Sequence, residues 1–220
     1  MNMRDIVILG CGGCGRELLW LLEDNNEVLP SDEKWNIVGF VEPKPEQGQM
    51  VSGYPVMSDD WLIRQKNLAV ACGLGEALLR ERVITKLKNA NPALSFPTLI
   101  SRRAHCSSRV EMGEGCIICA GSVLTCDIKL GNFVTINTSS VVTHDCRLDD
   151  FVQINPSTNL SGGVHVGRCT QIGTGVKVIP KVEIGDHVIL GAGAVVIRDI
   201  PPSCTAVGCP AQVIKHGAEQ

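Results

Sequence analysis

A histidine and an aspartate, His144-Asp145, close the polar segment Asn137-Thr138-Ser139-Ser140-Val141-Val142-Thr143. An imidazole is the natural general base near neutral pH, and an adjoining carboxylate orients the ring and steadies the imidazolium that forms. The chain has five histidines, His105, His144, His165, His187 and His216. A zinc hydratase would need several of them to converge. His144, His165 and His187 are instead 21 (165 − 144) and 22 (187 − 165) residues apart, a spacing that spreads them, so no metal site is expected. His165 and His187 are read as ordinary surface histidines.

A second chemistry-bearing stretch is Gly10-Cys11-Gly12-Gly13-Cys14-Gly15. It lies between a strand-like run, Asp5–Leu9, and a helical pattern from Arg16 to Glu23 with Leu18, Leu19 and Leu22 on one side. Strand, glycine turn and helix together place bare amides at a helix N-terminus, where they suit an anion such as a phosphate. A second strand, Asn36–Val41, ends at Glu42, whose carboxylate suits ribose or base donors. A dinucleotide such as NAD is one ligand for this motif. A domain of under a hundred residues leaves no room for the second half of a dinucleotide fold, so a mononucleotide fits better. Cys11 and Cys14 have the spacing of a redox or metal pair, but no second pair stands at zinc-site spacing.

The elements that must position these residues fall into two grammars. Up to residue 95 the pattern alternates: after Asn36–Val41 come a Ser58-capped helix through Lys66, a strand Leu68–Cys72 ending at Gly73, and an amphipathic helix Glu76–Ala90. This predicts a small Rossmann-like parallel sheet covered by helices. Asn91-Pro92 and Phe96-Pro97 interrupt it, dividing the chain into 1–95 and 96–220. From Met112 a different rule begins. Every sixth residue as far as Val196 is a large aliphatic, fifteen positions without a slip, and a column of small or β-branched residues lies four further on in each hexad. A period of six fits neither a 3.6-residue helix nor an isolated strand; it is the hexapeptide signature of a parallel β-helix, three hexads to a coil. Five coils stack to roughly 24 Å at the strand spacing of about 4.8 Å.

With 44% hydrophobic residues and a net charge of −3, the chain has ample core and no electrostatic footprint for nucleic acid or an anionic membrane surface. No apolar run is long enough to span a bilayer and no export signal is apparent, so a cytoplasmic protein is expected. The eleven cysteines then read as small buried hydrophobes rather than as a disulfide framework.

The glycine turn opening a small αβ domain, Gly39-Phe40-Val41-Glu42, the hexapeptide array, the segment 137–146 and the ending Val207-Gly208-Cys209-Pro210-Ala211 together resemble the PglD/NeuD family of bacterial sugar acyltransferases. The resemblance covers nearly the whole chain. It implies a left-handed β-helix, a homotrimer with sites between subunits, and transfer of an acetyl group from acetyl-CoA to a sugar. The amine of a UDP- or dTDP-linked 4-amino-4,6-dideoxy sugar is the acceptor implied first; a sialic-acid type O-acetyltransferase and a non-catalytic nucleotide-binding scaffold are the alternatives. Carried over by position, the resemblance makes His144 the base and Asp145 its acidic assistant. It puts Gly12, Gly13, Cys14, Glu42, Pro43, Gly73 and Asn137 at the sugar nucleotide, and Gln153, Thr174 and Ala192 at the coenzyme. Cys14 stands where relatives often have histidine, Pro43 where they have a second acidic residue, and Gln153 where they often have another histidine.

Overall fold

The computed structural model describes residues 4–217. They form two compact units, one of the residues up to Gly75 with Leu79–Pro97, the other of Glu76–Leu78 with the residues from Thr98 on.

In the first unit the chain runs β1 (Arg4–Leu9), α1 (Gly13–Val28), β2 (Trp35–Glu42), β3 (Met50–Val51), β4 (Tyr54–Ser58), α2 (Asp59–Leu62), β5 (Ala69–Cys72) and α3 (Ala77–Ala90). The sheet order is β3-β4-β2-β1-β5, with every pairing parallel except β3 with β4. Central β1 has neighbours on both sides, and Ile6, Val7, Ile8 and Leu9 are all buried. That is why it reads as an unbroken apolar run rather than an alternating one.

The details depart from the sequence pattern in three places. Met50–Val51 and Tyr54–Ser58 are strands that periodicity does not announce; they are joined by Ser52 and Gly53, both at positive φ (50° and 83°), the conformation a two-residue hairpin demands. The Ser58 hydroxyl does accept the amide of Trp61 at 3.2 Å, but the helix it caps stops at Leu62 rather than Lys66. Helix α1 starts three residues earlier than expected and continues to Val28. Its polar last turn is kept helical by tertiary bonds, since Asn26 both donates to the Trp35 carbonyl (2.8 Å) and accepts the Trp35 amide (2.9 Å).

The second unit is a parallel β-helix. Two-residue and three-residue strands stack into three faces, and a rung repeats every eighteen residues, as in Thr135↔Gln153↔Gln171↔Ile189. All fourteen residues of the small column from Cys116 to Ala194 are buried, as is the aliphatic column from Ile118 to Val196. Ser122, Ser140, Thr158 and Thr170 each donate a hydroxyl to the carbonyl fifteen residues ahead, at 2.7–3.1 Å. Small polar residues are tolerated inside because each answers a corner carbonyl that the ladder leaves over. Ser140 also accepts the Thr158 amide at 3.3 Å. Removing that hydroxyl in Ser140→Ala is expected to destabilise the protein by about 1–3 kcal/mol, read as a shift in the denaturant midpoint.

The coil begins one turn before Met112. Leu99–Ile100 pairs with Ile117–Ile118, and His105–Cys106 with Val123–Leu124; Ser101-Arg102-Arg103 conceals this turn from the aliphatic count. At the far end the rung shortens to sixteen residues, Ile189↔Thr205, and the chain turns back as an antiparallel strand, Gln212–His216, on Cys204–Val207.

Candidate active site

Each coil turns three corners, and one corner column comprises Ser108, Cys126, His144, Gly162, Pro180 and Arg198. His144 projects from this column, with its carbonyl bonded to the Gly163 amide one rung on (2.9 Å). The next residue, Asp145, adopts φ 62° and brings a carboxylate oxygen to 2.7 Å from His144 Nδ1. A carboxylate only accepts, so the proton of the neutral ring sits on Nδ1 and Nε2 carries the open lone pair. Both side chains are well exposed, at 61% and 65%, so the ring is reachable from solvent. The sequence pair is therefore a structural pair.

The remaining coil residues singled out from sequence lie along another edge. Thr174 and Ala192 are exposed and stand one rung apart on the same corner, with the Thr174 carbonyl accepting the Gly193 amide (2.8 Å). Asn137 leads into that corner two rungs earlier, and its side-chain oxygen takes the Thr138 amide at 2.8 Å. Gln153 is covered, with 2% exposure, and its amide nitrogen lies 3.4 Å from Asn155 Oδ1. The flat side containing Val141–Val142 separates this edge from His144, so one chain does not bring the two sets together.

In the first unit, the glycines of the turn divide their work. Gly10 has φ 92°, a turn conformation that only glycine adopts readily. A Cβ on Gly15 would lie 1.9 Å from the Gly10 carbonyl oxygen, so the helix packs hard against the loop there. Gly12 and Gly13 face open space. Gly12 precedes α1 without any side-chain cap, leaving the first helical amides available to an anion. Glu42 accepts the Cys11 amide at 2.8 Å, which tethers the end of β2 to the loop. The Gly73 amide donates to Leu9 at 2.9 Å, and a Cβ on Gly73 would strike Gly15. Gly12, Gly13, Cys14, Glu42 and Gly73 thus belong to one rim, with Pro43 exposed beside it. One contributor went unnoticed in the sequence. Arg80, on α3, is 1% exposed and donates to the Leu74 carbonyl at 2.9 Å, and its charge opposes the upward pull of burial on the Cys14 thiol.

Two family models match the chain: the PglD N-terminal domain over residues 5–87, and the bacterial transferase hexapeptide (six repeats) over residues 163–198. No curated protein matches. Among solved structures, PerB from Caulobacter crescentus, in complex with CoA and GDP-perosamine, is 33% identical with a TM-score of 0.83, over 97% of this chain and 99% of that one. The chain belongs to the PglD/NeuD-like sugar acyltransferase family. Two other members match at the same scale. WeeI from Acinetobacter baumannii is 30% identical (TM-score 0.85; 97% of this chain, 100% of that one). The acetyltransferase domain of PglB from Neisseria gonorrhoeae, with acetyl coenzyme A, is 28% identical (TM-score 0.87; 97% and 100%). The β-helix of this acyltransferase is accordingly left-handed.

This family member differs from the sequence reading at His165. It is no loose surface group. Nδ1 lies 2.7 Å from Glu183 and Nε2 2.9 Å from Asp149, while Arg147 holds the other oxygen of Asp149 at 3.0 Å. Arg147, His165 and Glu183 are successive rungs of one face, so the eighteen-residue period, applied to charges, finds the cluster. Burial opposes protonation of His165, but the two carboxylates outweigh it and raise its pKa. Burial likewise pushes Asp149 up, and the bonds from His165 and Arg147 bring it below its usual value. Stability from His165 is therefore full below about pH 6.5 and lost as pH rises through its higher folded pKa; that from Asp149 is lost below about pH 4. His165→Gln is expected to flatten the decline in melting temperature as pH rises above about 6.5. At this exposure the effect is about 1 kcal/mol or less.

His144 and His187 occupy corners of the coil and His165 a face. Among the described residues no group of three or more histidine, cysteine, aspartate or glutamate side chains is arranged to hold a metal ion. No described helix is long and apolar enough to cross a membrane.

Proposed function

We propose that this acyltransferase moves an acetyl group from acetyl-CoA to the amine of a nucleotide-linked amino sugar, with His144 as general base. The contact that carries this reading is the 2.7 Å pairing of His144 Nδ1 with Asp145, which leaves Nε2 as a proton acceptor in open solvent. The relatives support the substrate classes: PerB is complexed with CoA and GDP-perosamine, and the PglB domain with acetyl coenzyme A.

In this mechanism the sugar amine attacks the thioester carbonyl carbon, the C–S bond breaks, and CoA departs as the thiolate. His144 Nε2 takes the proton that the nitrogen loses and Asp145 steadies the imidazolium, so no acyl-enzyme forms. Gly12, Gly13 and Cys14 present the first amides of α1 to the nucleotide phosphates, and Gly73 lines the same rim. Glu42, one oxygen engaged by the loop, offers the other to a ribose or base donor, with Pro43 beside it. Thr174 and Ala192 form the coenzyme edge, with Gln153 covered on the flat side that leads into it, and Asn137, at the same corner, is the coil's contact to the sugar nucleotide. That edge and His144 are on different corners of one column, which favours a homotrimer in which one copy supplies the base and its neighbour the coenzyme contacts.

The test is mass spectrometry of UDP-, dTDP- and GDP-linked 4-amino sugars and of free sialic acid after incubation with acetyl-CoA. A gain of one acetyl mass on a nucleotide amino sugar is expected. Acetylation of sialic acid alone would replace the acceptor assignment with an oxygen nucleophile. Failure of every acceptor together with failure to bind CoA would leave a nucleotide-binding scaffold.

A further inference from the structure

One rung beyond His144, in the same corner column, stands Gly162. A Cβ built there would lie 2.3 Å from His144 Cε1, 2.6 Å from Nε2 and 2.9 Å from Nδ1. The imidazole therefore lies across the bare Cα of Gly162. Backbone conformation does not account for this glycine. Its neighbour Gly163 has φ 71°, whereas Gly162 is outside the left-handed region, where alanine is readily accommodated. Corner packing does not account for it either. The equivalent positions on the other rungs are Ser108, Cys126, His144, Pro180 and Arg198, so the corner accepts side chains, including the ring of proline. Only the rung on which the imidazole rests lacks one.

We propose that Gly162 is a positioning residue for the base: its missing side chain is the space in which the His144 ring lies while Nδ1 stays on Asp145. The inference rests on the reading of His144 as the base. Alanine at 162 pushes on all three of the ring atoms named above, so the ring must turn away from the corner and Nε2 moves with it. A displacement of about 1 Å at a reacting group costs up to roughly 10²-fold in rate.

The experiment is a cycle of Gly162→Ala, His144→Ala and the double variant, assayed with the acceptor found above and acetyl-CoA. Gly162→Ala is expected to lower kcat by about 10- to 100-fold with both KM values within about threefold, as for a group that acts in the transition state. In the His144→Ala background the second substitution is expected to change neither rate nor melting temperature, because the ring it strikes is gone. If Gly162→Ala proves too unstable to assay, recovery of its melting temperature in the double variant still identifies the ring as the obstacle. Full activity in Gly162→Ala, an additive loss in the double variant, or a rise confined to KM for acetyl-CoA would each overturn the proposal. A fully active His144→Ala variant would instead remove the base assignment on which the proposal stands.

Discussion

Replacing His144 by alanine is expected to lower kcat by 10²- to 10⁴-fold while the KM for acetyl-CoA changes little. The range is what a positioned general base contributes. The structure narrows where the loss must come from. His144 is exposed and its carbonyl, not its ring, bonds the neighbouring rung, so truncation removes no core packing and the variant should melt within a degree or two of the parent. Asp145→Asn tests the same contact from the other side. An amide can turn its nitrogen toward the ring and donate, which favours the tautomer with the proton on Nε2, the wrong nitrogen for a base. Its kcat should fall as well, by less than in His144→Ala because the ring remains. A His144→Ala enzyme with more than half the parent turnover would require another base.

The second large effect belongs to the glycine turn. Gly15→Ala puts a methyl group 1.9 Å from the Gly10 carbonyl oxygen, an overlap with backbone that no rotamer change relieves. Helix α1 must withdraw from the loop, and the amides at Gly12, Gly13 and Cys14 move with it. Because that rim is assigned to the sugar nucleotide, kcat/KM for the nucleotide sugar should drop by roughly 10²-fold, with a loss of about 1–3 kcal/mol in stability. The KM for acetyl-CoA, whose contacts are assigned to the coil, should stay the same. Initial rates with each substrate varied in turn separate the two. A Gly15→Ala enzyme with unchanged nucleotide-sugar affinity would show that the loop is not the phosphate cradle.

How much of this was legible beforehand depended on the length scale of each constraint. The coil was readable because one rule, a buried aliphatic every six residues, repeats on every rung, and a violation anywhere would open the interior. The turn from Gly10 to Gly15 was readable because strand, turn and helix are contiguous. The β3–β4 hairpin was not, since two residues of strand carry no period and its edge is defined by pairing with β2. Arg80 was hidden for a related reason: on α3 it occupies an ordinary helical position, and only the tertiary fold shows that it runs inward to the Leu74 carbonyl. His165 and Gly162 lay within reach. The period that found the core, applied to the outward residues, stacks Arg147, His165 and Glu183, and sets Gly162 above His144. At the site, the pair His144-Asp145 was adjacent in sequence and so visible, whereas its separation from Thr174 and Ala192 by one flat side emerges only when the hexads are folded into a triangle.

A stack of parallel rungs has no intrinsic reason to stop. Its last rung offers the same unanswered amides and carbonyls as every rung beneath it, and a second column set end to end would satisfy them. In this chain the tail answers them first. Val195 donates to the Gly208 carbonyl and accepts from the Ala211 amide, at 3.0 and 2.8 Å; Gly185 donates to Ile200, and Ile200 to Glu183, both at 2.9 Å. The strand Gln212–His216 then runs antiparallel over the third face, out of step with the parallel ladder that would have to continue. The tail thus acts as a chain terminator for assembly. It opposes growth along the column axis, the direction in which the coil's own regularity would otherwise extend it.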